Sequence, residues 1–342
     1  MNKTVKIFIA FLLAAGLAFV AVKVYAPRTN NANQNQAALS DGDTPQEETI
    51  AEEAIPMSVE ALRERKFPGG DFLIEKTLEN GTSYRRYIAS YKSEGLKIYG
   101  LLTVPLAPKP EKGFPAVVFV HGYIPPKQYS TTGNYPGYQA TLARSGVVTF
   151  KPDLRGHGQS EGEAVSAHFS EKYFVDVLSA LSYLKNFKEV DPERIGYWGH
   201  SNGGEIGLKA AVVTKDIKAF VFWAGVIGSS EDMLETYNEK ISFLRHENNP
   251  LIQDHGLPSR NPVFWKKVDP YFYLGDISAP IELHHGAADS SVPVELSIHL
   301  KNELEALGKR IEYFEYPEDD HNIAKNSGLA WQRSIDFFKK NL

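Results

Sequence analysis

No cysteine occurs in the 342 residues, which excludes disulfides, a thiol nucleophile and thiolate metal sites, and leaves the redox compartment unreadable from this residue type. Charge of one sign is missing too. The 37 basic and 42 acidic residues give net −5, which offers nucleic acid no electrostatic footprint and predicts no strongly charged partner. The metalloprotease spacing HExxH, the phosphate-binding GxxxxGK[ST] and the dinucleotide-binding GxGxxG are not found, so neither a metal nor a cofactor is expected. What is present, 42% hydrophobic and 23% charged residues, is the composition of a globular protein with a sizeable core.

The first 26 residues stand apart. Lys3 and Lys6 precede Ile7 to Val22, an apolar run interrupted only by Gly16, and this reads as an export segment. Val24-Tyr25-Ala26 resembles a signal-peptidase site, with Lys23 before it and Pro27 after. The same three residues also bring the segment to the ~20 needed to span a bilayer, with the lysines favouring an inside amino terminus. A cleaved leader and an uncleaved membrane anchor therefore both stay open. Residues 27–54, rich in Asn, Gln, Ala, Asp and Glu, have the composition of a disordered tether. One folded domain is expected over residues 55–342.

That domain changes pattern once. Met57 to Arg65 reads as a short helix with Ser58 as N-cap; Phe72 to Lys76, Tyr84 to Tyr91 and Leu96 to Val104 then alternate polar and apolar residues around Asn80-Gly81 and Glu94-Gly95, as antiparallel hairpins do. From Ala116 onward the strand-like runs (116–120, 147–150, 195–198, 219–224, 281–284, 311–316) are short and mostly apolar, as in strands buried on both faces. Helical patterns at 138–144, 173–187, 204–213, 294–307 and 331–340 separate them. The expected fold is therefore α/β: a mostly parallel sheet flanked by helices, with antiparallel strands at its start. Residues 227–270 are longer than a crossover needs and read as an inserted cap.

In such a sheet, sites form beyond the carboxyl ends of the strands, and each short signal in the chain falls there. After 195–198 comes Gly199-His200-Ser201-Asn202-Gly203, whose small residues permit the strained turn that lifts a serine hydroxyl off the sheet; Ser201 is the candidate nucleophile. After 116–120 comes His121-Gly122-Tyr123-Ile124-Pro125, and the backbone N–H groups of Tyr123 and Asn202 form the candidate oxyanion hole. A serine hydroxyl is a poor nucleophile at its own pKa: an imidazole must take its proton, and a carboxylate must hold that imidazole's tautomer. Asp289, after 281–284, and His321, after 311–316, supply them in the order Ser, Asp, His that this architecture uses. Each also has a bland reading, as a turn-capping Asp or a structural His. Asp319 and Asp320 are rival orienting acids, read as solvated loop charges. His284 and His285 point to opposite faces of a strand and cannot share one metal ion.

The Gly-x-Ser-x-Gly-Gly elbow, Asp191-Pro-Glu-Arg-Ile-Gly196 leading into it, His284-His285-Gly286 with Asp289 and Val292-Pro293, and Tyr316-Pro-Glu-Asp-Asp-His321 resemble the catalytic domain of the prolyl oligopeptidase family within the α/β-hydrolases. The resemblance covers roughly Tyr91 to Leu342. It implies Ser201 as nucleophile, Asp289 as orienting acid, His321 as base, and a peptide substrate. Asp153-Leu-Arg-Gly-His-Gly-Gln-Ser160 also matches, as a loop beside the site in which His157 is the residue to test. Where the family often carries HGG this chain has His121-Gly122-Tyr123. Larger members gate the site with a β-propeller, which the residues before Ala116 are too few to build, so the cap is left to shape the substrate. Phe243, Phe264, Trp265, Tyr271, Phe272 and Tyr273 either line an apolar acyl pocket or pack the cap down. Glu231, Asp232, Glu235 and Glu239 either meet a peptide's amino terminus or form a solvated face. The expectation is a metal-independent serine hydrolase acting on a small peptide or amide, with a carboxylesterase of small acyl esters as the alternative. A tethered binding module without activity is the reading from another class. Oligomeric state has no signal in the sequence.

Overall fold

The structure is a computed structural model and describes residues 55–168, 170–241 and 249–342. Residues Glu53–Leu342 form one compact unit. The expected leader and tether, and Phe243 of the cap, lie outside the described residues. Among those described, no helix is long and apolar enough to cross a membrane.

Nine strands form one mixed sheet. β1 (Leu73–Leu78), β2 (Tyr84–Ser93) and β3 (Leu96–Pro105) are antiparallel, and β3 also pairs antiparallel with β5 (Val148–Pro152). From there β4 (Phe114–Val120), β6 (Val190–His200), β7 (Ala219–Trp223), β8 (Ile281–Gly286) and β9 (Ile311–Tyr316) run parallel, giving the order β1-β2-β3-β5-β4-β6-β7-β8-β9. The β2–β3 hairpin turns at Glu94 and Gly95, both at positive φ, the geometry whose twist matches its strands. This is the α/β-hydrolase arrangement expected from the sequence.

The apolar runs have a simple cause in packing. Alternate residues of β4 serve opposite cores: Ala116, Val118 and Val120 belong to the one that also holds residues of α1 (Val59–Glu64), α3 (Lys172–Asn186), α4 (Asn202–Val213) and α7 (Val294–Ala306), whereas Val117 and Phe119 belong to the one that holds residues of α2 (Pro136–Arg144) and α8 (Ser327–Asn341). Every residue from Ala116 to Val120 is fully buried. The second core is aromatic: Phe119 stacks on Trp198 with ring centroids 4.2 Å apart, and Trp198 stacks on Trp331 of α8 at 5.4 Å. Leu73 and Ile74 of the edge strand β1 remain exposed.

The insertion holds a short turn at Asp232–Thr236, α5 (Pro250–His255), α6 (Pro262–Val268) and a 3₁₀ segment, Pro270–Asp276. Its aromatic residues mostly pack it down: Phe264 and Trp265 join Met57, Leu234 and Val268 in a buried cluster, and the Tyr271 hydroxyl donates to the Ile227 carbonyl at 2.8 Å. Phe272 is exposed. The acidic run is not a wholly solvated face either. Asp232 pairs with His299 at 2.6 Å and caps Ser229, and Glu235 accepts from the Ser259 hydroxyl and backbone N–H.

The Asp153–Ser160 loop is anchored by a buried ion pair. Arg155 Nη2 donates to Asp176 Oδ1 at 2.7 Å and Nε to Oδ2 at 3.0 Å, with Asp176 fully buried on α3 and also accepting from the Ser93 hydroxyl. Removing one partner of such a pair strands a charge in the interior. Arg155→Met should therefore lower unfolding stability by about 3–5 kcal/mol. Urea unfolding followed by tryptophan fluorescence measures this, and a loss under about 1 kcal/mol would show that Asp176 finds other support.

Candidate active site

β6 ends at His200, just after Gly199, and α4 opens at Asn202, just before Gly203; between them the chain reverses direction at Ser201 with φ 54° and ψ −116°. No other residue type fits at the flanks: a Cβ on Gly199 would lie 2.5 Å from the Gly203 carbonyl oxygen, and one on Gly203 would lie 2.4 Å from that of Val120. Three backbone bonds hold the turn. Ser201 N–H donates to the Trp223 carbonyl at 3.0 Å, and the Ser201 carbonyl accepts from Val226 at 3.0 Å and Gly204 at 2.8 Å. Backbone strain of this kind costs on the order of 1–3 kcal/mol and persists only where the surroundings over-determine it. Ser201 is 8% exposed, at the mouth of the carboxyl edge.

Asp289 and His321 meet there. His321 Nδ1 donates to Asp289 Oδ2 at 2.7 Å. Asp289 is fully buried in its side chain; its other oxygen accepts from the backbone N–H groups of Ser291 and Val292, and Oδ2 also faces His285 Nε2 at 3.2 Å. Burial alone would raise this carboxyl's pKa, but the hydrogen bonds from His285 and His321 prevail and hold it well below the usual carboxylate range. It therefore caps a turn and orients an imidazole at once. Ser201 Oγ and His321 Nε2 make no hydrogen bond to each other in this conformation, a link that often tightens only with substrate.

Asp319 is not a solvated loop charge. It is fully buried, accepts from the Lys325 and Asn326 N–H groups at 2.7 and 3.2 Å and from Asn326 Nδ2 at 2.6 Å, and so shapes the loop that carries His321. Asp320 is exposed and caps Asn322 and Ala324. His284 and His285 do face opposite ways, His284 toward Glu282 and Tyr316, His285 toward Ser297 and Asp289.

The candidate oxyanion loop lies close to the elbow at Gly122. The N–H groups of Tyr123 and Asn202 donate to no protein atom among the described residues, and Asn202 begins the twelve-residue α4, where the helix dipole adds to its donor. Gly122 leaves room for its neighbours: a Cβ there would fall 3.0 Å from both Ser201 Cβ and Tyr135 Oη, a tight contact. Three histidines surround the loop. His121 Nδ1–H donates to the Gly122 carbonyl at 2.7 Å, His157 is buried between the Arg155 and Ile124 carbonyls at 3.1 and 3.3 Å, and His200 lies over the His321 ring at 4.7 Å. His157 thus supports the loop and does not face the serine. Burial lowers the pKa of both His121 and His200 to about 3, with the charges of Lys151 and His321 respectively adding to the effect.

The site is that of a serine hydrolase on an α/β-hydrolase sheet. The model of the prolyl oligopeptidase family matches residues 135–342, more than half of the chain, and the chain belongs to that family. It is 29% identical over 258 residues to the peptidase YtmA of Bacillus subtilis, covering 75% of this chain and 94% of that one. It is 24% identical to the peptidase YuxL of the same organism, of which it spans about a third, 34%, while 68% of this chain is covered. Among solved structures it resembles acetyl xylan esterase 1 from a Thermoanaerobacterium species, with TM-score 0.61, 19% identity and coverage of 82% of this chain and 91% of that one; at that identity the likeness is one of fold.

Because His121 and His200 are held neutral in the folded state but titrate near 6.5 when unfolded, the unfolded chain binds more protons between those values. Their contribution to stability is complete above about pH 6.5 and is lost as pH falls toward 3. Denaturation near pH 5 should accordingly show uptake of about two protons from these residues, reduced by one in His200→Asn. Equal slopes in the two proteins would contradict the assignment.

Proposed function

We propose that Ser201, Asp289 and His321 act as nucleophile, orienting acid and base of an acyl-transfer site that cleaves small peptide or amide substrates. The observation that carries this is the 2.7 Å bond from His321 to the buried Asp289, made beside a serine held at positive φ. His321 Nε2 takes the Ser201 proton as Oγ attacks the scissile carbonyl. The N–H groups of Tyr123 and Asn202 receive the developing oxyanion. His321 then returns the proton to the leaving amine, leaving an acyl-enzyme that water, deprotonated by the same imidazole, hydrolyses. Asp289 stays ionised throughout and fixes the proton on Nδ1.

One observation favours short acyl esters as a second substrate class. Asp232 and Glu235 are engaged within the fold, with His299 and Ser259, and Phe264 and Trp265 are spent on the cap's own core. Recognition then rests on the scissile carbonyl more than on a peptide's terminus, and the ester is the easier bond to cleave.

Ser201→Ala should abolish hydrolysis across a panel of amino-acyl amides and short acyl esters, and Asp289→Asn should lower kcat by about 10⁴ through the wrong tautomer. A fluorophosphonate probe should label the wild-type serine alone. Turnover that survives Ser201→Ala would sink the mechanism, and amide turnover absent beside rapid ester turnover would select the second class.

The same reading places the domain outside the cytoplasmic membrane, supported by Lys3 and Lys6 ahead of the apolar Ile7 to Val22. Fractionation of cells expressing the full chain should recover the activity outside the cytoplasm, on membranes or free; recovery in the cytosol would overturn it.

A further inference from the structure

Tyr135 occupies a position that tyrosine has little intrinsic reason to take. It sits immediately before Pro136 at the start of α2, in the left-handed region at φ 58° and ψ 20°. Its ring is wedged beside Phe119, Tyr138 and Trp198, with centroids 5.7, 5.4 and 6.4 Å away. What this backbone delivers is the hydroxyl, carried into the carboxyl edge of the sheet between the oxyanion loop and the elbow.

There the hydroxyl joins a chain of hydrogen bonds with one consistent direction. Gly122 N–H donates to Tyr135 Oη at 3.1 Å. The single Tyr135 proton then goes to His200 Nδ1 at 2.7 Å, which fixes the neutral imidazole's own proton on Nε2. That Nε2–H donates to the His321 carbonyl at 3.0 Å. The three links are partly buried around the buried His200, where successive hydrogen bonds reinforce one another. On the other side of Gly122, His121 Nδ1–H holds the carbonyl of the peptide unit whose N–H is that of Tyr123. The two constraints together set the plane of that unit.

We propose that Tyr135 is a positioning residue for the oxyanion hole, acting through Gly122 on the Tyr123 N–H and coupling that donor, by way of His200, to the backbone of His321. The proposal rests on the reading of Ser201, His321 and the Tyr123 and Asn202 donors given above. It adds that donor and base are held in one frame, so that neither loop shifts without the other. The stem of Tyr135 packs the second core, but its hydroxyl has no packing role, and loss of the oxygen alone isolates the positioning function.

The test is Tyr135→Phe, which keeps the ring, beside His200→Asn, which retains an acceptor near Nδ1 and loses the donor to His321. Steady-state kinetics on the best substrate of the panel, thermal melting, and the rate of labelling by a fluorophosphonate, whose phosphoryl oxygen takes the oxyanion position, are measured for both variants and their double. Expected are a fall in kcat of about 10-fold with KM unchanged, a parallel slowing of labelling, and a double variant no more impaired than the worse single one, because both break one chain. Tyr135→Phe with wild-type kcat and labelling rate, or with a rise in KM only, overturns the proposal while leaving the acyl-transfer reading intact, as does full additivity of the two substitutions. If Tyr135→Phe melts far below wild type, His200→Asn decides alone: an unchanged kcat and labelling rate refutes the coupling, and a drop in both upholds it. Should Ser201→Ala retain full turnover, it is the underlying reading that fails.

Discussion

A serine held in a backbone conformation it would not choose is the constraint on which the rest of the molecule depends. Ser201 keeps positive φ because β7 takes its N–H and the chain beyond β7 donates to its carbonyl, while Gly199 and Gly203 clear the space around it. The bonds that over-determine it come from the centre of the parallel sheet, where strands packed on both faces have least freedom to move. The cost of the strained turn is thereby spread over β4, β6 and β7. The hydroxyl proposed as nucleophile is thereby carried at the buried centre of the sheet.

Around that point burial and hydrogen bonding fix the charge state of each titratable group. Asp289 stays charged despite burial because it has donors on both oxygens. His121 and His200 stay neutral because they are buried beside other cationic or ionisable groups. Of the imidazoles nearest the elbow, His321 is the one whose Nδ1 is bonded to the buried Asp289 carboxylate.

Much of this was legible in the sequence. The two-sided strands announced themselves as apolar runs because neighbouring residues of β4 serve different cores, and the motif residues Ser201, Asp289 and His321 fell at strand ends because turns there need glycine and small residues. Element bounds shifted where tertiary pairing won: β6 begins at Val190, five residues before its apolar run, because Val190 pairs with Phe114 across Pro192 and Glu193. Asp319 was misread because a carboxylate next to a histidine looks like a surface charge until the folded loop turns three donors onto it. Tyr135 gave no signal at all. Its contribution depends on a left-handed backbone and on partners 13 and 65 residues away, which no local pattern encodes. His200 lay inside the elbow motif, at a position the motif leaves unspecified.

Six non-glycine residues at positive φ occur among the described residues, and five of them, Tyr135, Leu154, Ser201, Ala224 and Ile323, lie on loops that follow parallel strands. Such conformations are tolerated by selection only where they serve something. Backbone strain is therefore concentrated at one end of the sheet. Leu154 and Ile323 are themselves buried in the two cores, so glycine or asparagine there would relax the backbone only by emptying or polarising the interior. In those loops the strained backbone and the buried side chains hold each other in place.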